Sequence, residues 1–303
     1  MSLLIFGYGY SARIFAGRAK ALFSSVTGTV RDPTTSKLIE DEFVSLLRFN
    51  STTTTSVAEV DPVLLKKISE VKAILISIPP YADGDCVYNT FATIIAQNKN
   101  LQWLGYLSTI GVYGNYNGEW VDETSELRHT NERSILRAKA EQSWLQFGKI
   151  YDVPVHIFRL AGIYGPGQNA LINVALGKAN RVFKPGQVFN RIHVDDIATV
   201  LIASLAHPKP QSIYNVCDDE PAPPQDVVLY AATLLNVEPP PLINLEEAQI
   251  SAMARSFYNE NKRASNRLIC SELCVKLAYQ NYRAGLDALY MQDRESKHDD
   301  TNK

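Results

Sequence analysis

A glycine turn near the N-terminus limits most strongly what this chain can fold into. The chain opens with a short apolar run, Ser2–Phe6, and then passes into Gly-Tyr-Gly-Tyr-Ser-Ala at residues 7–12. Apolar residues follow at helical spacing from Ala12 to Phe23. This order predicts a strand, a tight glycine turn and an amphipathic helix, the arrangement in which such a glycine pattern has a structural meaning.

The residues of the turn predict a site for a dinucleotide. Gly7 permits the sharp turn, Gly9 lets the backbone approach a pyrophosphate, and Ala12 lets the helix pack closely on the strand. The phosphates would lie at the positive end of the helix, beside Tyr10 and Ser11. The alternative is a β-to-α turn of the same shape that binds no ligand.

Composition excludes several other classes of protein. The chain has 303 residues, of which 46% are hydrophobic, and a net charge of −2, so it can bury a large core in two lobes or one large domain. We find no basic tract, and no apolar run reaches the ~18 residues of a membrane span. We therefore expect neither a nucleic-acid nor a membrane partner, and a cytoplasmic location.

The cysteines do not have the spacing of a metal site or a disulfide framework. They are Cys86, Cys217, Cys270 and Cys274. Cys270 and Cys274 can share a helix face, but no further Cys or His pair completes a zinc site. We therefore expect buried, reduced thiols and no bound metal.

Strand-like and helix-like segments alternate through the first half of the chain. We predict strands at residues 24–30, 44–49, 73–78, 101–107 and 153–159, and helices at residues 33–41, 62–69, 87–97 and 131–147. Strands separated by single helices pair in parallel through right-handed crossovers. The fold class predicted is α/β, a doubly wound parallel (Rossmann) sheet.

The pattern loosens after about residue 165, where prolines and loop residues become frequent. We therefore predict a smaller C-terminal lobe that binds the substrate. The predicted nucleotide-binding domain comprises residues 1–165 and 190–216, the substrate lobe comprises residues 166–189 and 217–293, and residues 294–303 form a flexible charged tail.

The second strand suggests which dinucleotide is bound. An NAD site places an acidic side chain about 20 residues beyond the glycines, whereas an NADP site places an arginine there for the 2′-phosphate. The predicted strand carries no acid and ends at Arg31, so we predict NADP. In the alternative, Arg31 is solvated, Asp32 binds the ribose and the cofactor is NAD.

Three later segments carry a family resemblance. They are Ser-Thr-x-x-Val-Tyr-Gly at residues 108–114, Arg-Leu-Ala-Gly-Ile-Tyr-Gly-Pro-Gly at residues 159–167, and Arg-Ile-His-Val-Asp-Asp-Ile-Ala at residues 191–198. Together with the glycine turn, they resemble the extended short-chain dehydrogenase/reductase family, which contains nucleotide-sugar epimerases and dehydratases. The resemblance implies a small-molecule substrate, possibly a nucleotide sugar. It also implies a monomer or a homodimer formed through a helix bundle, to which the helix carrying Trp144 would contribute apolar surface.

The resemblance implies catalysis by a hydroxyl residue, a tyrosine and a lysine four residues after the tyrosine. Thr109 matches the hydroxyl residue, and Lys139 matches the lysine that contacts the nicotinamide ribose. The position four residues before Lys139 is Ile135, which cannot exchange a proton, so the chain resembles the atypical members of the family. Possible replacements for the tyrosine are Tyr113, Tyr116 and Tyr164. The alternatives are a loop hydroxyl for Thr109 and an exposed helix lysine for Lys139.

Other positions complete the predicted site. We assign Ser77, Pro79 and Ser108 to the cofactor site, although Pro79 can simply end a strand. Tyr113, Tyr164, Arg191 and His193 are candidate substrate contacts. His193 lies near two aspartates and suits a proton relay, or it closes a strand before a helix that the aspartates cap. Arg181, Lys184 and Arg191 can hold a diphosphate or remain solvated.

Two classes of function agree with these predictions. The first is an NADP-dependent epimerase, dehydratase or reductase that acts on a nucleotide sugar or another small hydroxyl or carbonyl compound. The second is a non-catalytic NADP-binding, redox-responsive regulator, which the isoleucine at position 135 favours.

Overall fold

Parallel strands and flanking helices form the centre of the molecule. The structure, a computed structural model, describes residues 1–33, 43–52 and 56–301, and the backbone alone at residues 296–301. In chain order the strands are β1 (Ser2–Phe6), β2 (Ser25–Val30), β3 (Val44–Arg48), β4 (Ala73–Ile76), β5 (Trp103–Thr109), β6 (Trp120–Val121), β7 (Val155–Leu160), β8 (Gly162–Tyr164), β9 (Arg181–Phe183), β10 (Arg191–His193), β11 (Ser212–Val216), β12 (Leu242–Asn244) and β13 (Arg263–Ala264).

The helices alternate with the strands in the first half of the chain. They are α1 (Tyr10–Arg18), α2 (Pro62–Glu70), α3 (Cys86–Gln97), α4 (Glu132–Tyr151), α5 (Ala170–Ala175), α6 (Val194–Ala206), α7 (Pro224–Leu235), α8 (Ala252–Phe257), α9 (Arg267–Glu272) and α10 (Tyr282–Thr301). The predicted helices at 62–69, 87–97 and 131–147 are thus observed. Apart from Pro33, the helix predicted at 33–41 lies outside the described residues.

The main sheet confirms the predicted doubly wound fold. Within the described residues its seven strands follow the order β11-β7-β5-β4-β1-β2-β3, and every pair is parallel. The chain builds outward from β1 on one side and then crosses to β4 on the other. The crevice beyond the carboxyl ends of β1 and β4 is therefore the topological switch point, where open α/β sheets bind ligands.

The burial of β4 shows why the sheet lies at the centre. All four of its residues are buried, as expected for a parallel strand with both faces covered. Leu75 packs into the hydrophobic cluster that contains Phe15 of α1. Ile74 packs into the opposite cluster, which contains Phe91 of α3 and Trp144 of α4.

Trp144 faces the sheet and not the solvent. Its side chain is fully buried, because α4 packs that face against α3 and the strands. Trp144 itself therefore offers no apolar surface to a second copy, and the contribution of its helix to a dimer stays a prediction. No helix in the described ranges is both long and apolar enough to cross a lipid bilayer.

The C-terminal region forms small apolar clusters of its own but also returns to the sheet. Tyr164, Val227 and Tyr282 belong to one small cluster. In contrast, Ile269 and Leu277 belong to the large cluster on the sheet, so this segment crosses the boundary predicted at residue 217. Helix α10 continues to Thr301, where we expected a flexible tail from residue 294.

Candidate functional site

The glycine turn between β1 and α1 has the shape of a phosphate-binding loop. Gly7 has a φ of +86°, and a Cβ atom there would lie 2.8 Å from Ile78 Cγ1, so only glycine is unstrained. Gly9 is the N-cap residue of α1, and a Cβ atom there would meet no atom within 4 Å. The helix has no side-chain cap and no acid in its first turn. Its first N–H groups are therefore available to an anion in the open space beside Gly9.

The second strand holds this turn in place. The Gly7 amide donates to Thr29 Oγ1 over 3.0 Å, and the Tyr8 amide donates to the Thr29 carbonyl over 2.9 Å. The Tyr8 ring lies on Gly28, where a Cβ atom would be 2.7 Å from the ring. Sequence reasoning missed Gly28 and Thr29, although a glycine inside an apolar strand indicates such a close approach.

The start of α1 also contacts the second lobe. The Tyr10 hydroxyl donates to the Pro166 carbonyl over 2.9 Å, and Ser11 is nearly buried. Ala12 is fully buried in the sheet cluster, as close packing of α1 on β1 requires. All five predicted turn residues therefore lie at the start of one helix.

A cleft of about 240 Å³ opens beyond this turn at the carboxyl edge of the sheet. Among its lining residues are Ser11, Ser77, Ser108, Thr109 and Arg137. Four of these five residues were predicted from sequence, because strand ends in a parallel sheet meet at one edge. Pro79 is exposed and does not line this cleft.

Arg137 is the charged residue of this cleft, and sequence reasoning missed it. Its guanidinium donates to the Leu107 carbonyl and lies 5.9 Å from the Tyr106 ring centroid. Lys139, by contrast, is exposed. Two positions along a helix differ by about 200° in direction, so Arg137 and Lys139 face opposite sides. The structure does not bring Lys139 to the predicted site.

Ile135 lies on the side of α4 away from the cleft for the same reason. Ile135 precedes Lys139 by one turn and shares its side of the helix. The residue four positions before Arg137 is Arg133, which is exposed. Arg137, and not Lys139, is therefore the basic residue of α4 that lines the cleft. Glu141, one turn after Arg137, is buried on the same side of the helix.

A network of buried polar side chains supports the residues that line this cleft. Ser108 Oγ donates to Glu141 Oε1 over 2.5 Å, and Arg159 pairs with Glu141 at 2.7 Å. Arg159 also donates to the Tyr113 oxygen over 2.9 Å, and Tyr113 donates to Asn215 Oδ1 over 2.7 Å. The network joins β5, α4, β7 and β11, so it fixes the strand end that carries Thr109.

Tyr113 is part of this network and not of the cleft surface. It is fully buried, and burial raises its pKa to about 12. The structure therefore does not bring Tyr113 to the predicted substrate contacts. Tyr116 is also occupied elsewhere, because its hydroxyl donates to the Glu126 carbonyl over 2.7 Å.

Thr109 lies between this cleft and a second, larger one. Its Oγ1 accepts a hydrogen bond from the Gly111 amide at 3.1 Å, and this bond caps the short 3₁₀ turn Ile110–Tyr113. The hydroxyl hydrogen can still be donated. Because Thr109 lines both clefts, a substrate oxygen bound at the junction can accept it.

The larger cleft, of about 530 Å³, lies toward the second lobe. Tyr164 and Arg191, both predicted substrate contacts, line it. The Tyr164 hydroxyl donates to the Asn281 carbonyl over 3.4 Å, and burial raises its pKa. Arg191 donates to the Phe189 and Ala222 carbonyls over 2.9 and 3.1 Å. A third cleft, of about 410 Å³, shares Tyr164 and Arg191 with the larger cleft.

His193 has a structural environment. Its ring is 1% exposed, and Nδ1 accepts the Asp195 amide at 3.2 Å, which caps α6. The ring centroid lies 4.0 Å from that of Tyr279, and burial lowers the pKa of His193 to about 4. The residue does not line the three clefts described above.

Arg31 lies just beyond β2, on the same side of the switch point as the glycine turn. It is exposed, and its guanidinium donates to the Tyr81 hydroxyl over 3.3 Å. Asp32 is exposed as well.

Within residues 1–33, 43–52 and 56–301, no cluster of three His, Cys, Asp or Glu residues could hold a metal ion. The prediction that the cysteines are buried is confirmed for Cys217 and is wrong for Cys270 and Cys274, which are exposed.

Comparison with protein families gives a match in the centre of the chain. The model of the NAD-dependent epimerase/dehydratase family matches residues 79–217. This range includes Thr109, α4 and the segments around Tyr164 and Arg191.

One curated relative is protein YeeZ of Escherichia coli (strain K12), which is 30% identical over 176 residues. The alignment covers 57% of this chain and 57% of YeeZ, so the match extends over little more than half of either protein.

Two solved structures extend the similarity over nearly the whole chain. A functionally unknown conserved protein from Silicibacter pomeroyi DSS is 44% identical, with a TM-score of 0.86 and coverage of 96% of this chain and 98% of that one. The dTDP-glucose 4,6-dehydratase of Bacillus anthracis str. Ames in complex with NAD is 16% identical, with a TM-score of 0.77 and coverage of 98% of both chains. The second likeness concerns the fold alone.

Proposed function

We propose that this chain, a member of the extended short-chain dehydrogenase/reductase family of NAD-dependent epimerases and dehydratases, is an NADP-dependent enzyme. Its substrate is a small hydroxyl or carbonyl compound, and the reaction is an epimerisation, a dehydration or a reduction. The observation that carries the proposal is the position of Thr109, which lines both clefts: the one of about 240 Å³ beyond the glycine turn, here called the cofactor-side cleft, and the larger cleft.

The residues of the turn fit a dinucleotide. The open space beside Gly9 and the uncapped start of α1 suit a pyrophosphate. Ser11, Ser77, Ser108 and Arg137 line the cleft into which the nicotinamide end would extend. Arg31 would bind the 2′-phosphate, which supports NADP over NAD. When bound, this cofactor supplies or accepts the hydride.

The side chains of the protein stabilise charge on the substrate oxygen. In a reduction, the carbonyl carbon gains a hydride and its oxygen gains a proton, so negative charge develops on the oxygen. Thr109 donates a hydrogen bond to it, and the nearby guanidinium of Arg137 stabilises the charge. A guanidinium donates hydrogen bonds and does not serve as a general acid. The proton therefore comes from solvent in this open cleft.

A second candidate is a non-catalytic NADP-binding regulator. The observation that favours it is that neither a tyrosine nor a lysine is among the residues that line the cofactor-side cleft. Loss of a general acid lowers a rate by about 10² to 10⁴. Cofactor binding alone does not separate the two candidates.

Turnover separates them. With NADPH and panels of carbonyl compounds and nucleotide sugars, we expect loss of absorbance or formation of an epimer. Thr109→Val should lower kcat at least tenfold while leaving the affinity for NADPH unchanged, because it removes one hydrogen bond to the substrate oxygen. Tight NADPH binding without turnover of any compound would favour the regulator instead.

A further inference from the structure

The larger cleft has a mainly apolar wall. The apolar residues that form it include Ile110, Leu160, Ile163, Val188, Phe189 and Phe257. Phe257, at the end of α8, is 58% exposed at the rim. Thr109 and Arg191 line the same cleft as this wall, so a substrate that contacts both residues lies against it.

The polar side chains of the cleft are largely occupied within the protein. Asn190 donates to the Lys262 carbonyl over 2.9 Å and accepts the Ala264 amide at 2.7 Å. Glu260 accepts from Asn131 and from Lys262, at 2.7 and 2.6 Å.

This arrangement does not suit a sugar ring. A sugar presents several hydroxyl groups, and each hydroxyl that leaves water without a hydrogen-bond partner lowers the affinity. The cleft between Thr109 and Arg191 has few free partners to offer. An apolar group, in contrast, loses nothing by contact with this wall and gains from leaving water.

Arg191 supplies a cation to this cleft. Its guanidinium bonds two backbone carbonyls, and the ion pairs found among the described residues do not include it. The carboxyl that acts on it most strongly is Asp218. Burial raises the pKa of Asp218 to about 8, which weakens this carboxyl as a counter-charge for Arg191 near neutral pH.

We propose that the substrate is an apolar carbonyl or hydroxyl compound that carries one acidic group, a carboxylate or a phosphate, and is not a nucleotide sugar. Thr109 binds the reacting oxygen, the wall that ends at Phe257 covers the apolar part, and Arg191 binds the acidic group. This inference rests on the proposed function, since it names the substrate class of the same site.

Binding to the NADPH-saturated protein tests the inference by calorimetry. The probes are 4-oxo-4-phenylbutanoate, its uncharged methyl ester, the phosphate monoester of 3-hydroxypropiophenone, and UDP-glucose. We expect at least one of the two acids to bind at least tenfold more tightly than the ester, as a charge-assisted hydrogen bond allows. UDP-glucose should bind more weakly than that acid. The stronger of the two acids identifies the acidic group.

Two variants separate the roles of the wall and the cation. Phe257→Ala changes an exposed side chain and should weaken the acid and the ester alike, by about three- to tenfold. Met253→Ala is the matched control, because Met253 is an exposed apolar residue of the same helix that does not line the cleft. Arg191→Met should weaken the acid alone; a general loss of structure would weaken both compounds.

Other outcomes overturn the inference in distinguishable ways. Equal binding of acid and ester, absence of binding by every probe, or UDP-glucose binding more tightly than both acids would refute the substrate class. Each of these results leaves NADPH binding, and with it the proposed cofactor site, intact. A protein that binds no NADPH would refute the proposed function itself.

Discussion

Arg137 and Lys139 are separated by two positions on α4, and this separation decides which of them can touch a cofactor. Arg137 lines the cleft with Ser108 and Thr109, while Lys139 is exposed. Arg137→Met should weaken NADPH binding about tenfold or more, because Arg137 lines the cleft proposed for the nicotinamide end and its guanidinium can donate a charge-assisted hydrogen bond to the bound cofactor. Lys139→Met, on the same helix, should leave the affinity unchanged. Isothermal titration of both variants measures this, and the reverse result would restore Lys139 to the site.

Gly7 and Gly9 differ in what a methyl group would meet. At Gly7 a Cβ atom would touch Ile78 in a backbone with a φ of +86°, whereas at Gly9 it would enter open space. Gly7→Ala should therefore lower the free energy of unfolding, by about 1 kcal/mol or more. Gly9→Ala should leave stability unchanged and weaken NADPH binding, because the methyl group occupies the space of the pyrophosphate.

Urea unfolding and calorimetry of the two glycine variants check both halves of this prediction. Full NADPH affinity in Gly9→Ala would show that no phosphate binds at the turn. An unchanged unfolding midpoint in Gly7→Ala would show that the backbone there relaxes without cost.

At the scale of elements, the sequence predicted what is encoded locally. Each strand and helix of the sheet domain carries its own pattern of apolar residues, so β1, α1 and the later alternation were predictable, as was the placement of Thr109 at a strand end. The rotation of α4 was not. It depends on the contact between Glu141 and Arg159, which are 18 positions apart, and no local pattern in the sequence specifies such a contact.

The second lobe was predictable only as a region. Its strands have two or three residues each, as in β8, β9 and β12, too short to show a period. The apolar wall of the larger cleft combines residues of several elements, from Ile110 to Phe257. Their proximity follows from the tertiary fold alone.

Strand β7 carries a buried histidine whose titration should destabilise the sheet in acid. His156 is fully buried between the rings of Trp103 and Tyr214, and burial lowers its pKa to about 4, against ~6.5 in the unfolded chain. The unfolded state then binds more protons between these two values. The contribution of His156 to stability is complete above about pH 6.5 and is lost as the pH falls toward 4, by up to ~1.4 kcal/mol per pH unit.

His156→Leu should reduce the loss of stability below pH 6.5, as measured by the free energy of unfolding in urea at several pH values. His207→Leu is the control, because His207 is exposed at the end of α6. If His156→Leu and the parent protein lost stability in parallel below pH 6.5, the buried histidine would not be the cause.

At the scale of the whole molecule, the core joins the two lobes. Ile269 and Leu277 belong to the same hydrophobic cluster as Leu3 and Leu75 of the sheet, and Tyr10 bonds the carbonyl of Pro166. The C-terminal segment therefore forms part of the hydrophobic core that stabilises the sheet. We expect one cooperative unfolding transition, although the cofactor would contact chiefly the first lobe.

NADPH should consequently stabilise the molecule as one unit. At a concentration one hundred times its Kd, a ligand that binds only the folded state adds about 2.7 kcal/mol to the free energy of unfolding. Calorimetric scans should show a single peak whose temperature rises with NADPH.

Arg31→Ala should reduce the rise in temperature produced by NADPH and not the rise produced by NADH, because only NADPH carries the 2′-phosphate. Arg267→Ala is the control and should change neither, because Arg267 is an exposed arginine of α9. A second peak whose temperature does not change with NADPH would show that the lobes unfold separately. Equal rises in temperature with NADPH and NADH in the parent protein would show that Arg31 is not part of the cofactor site.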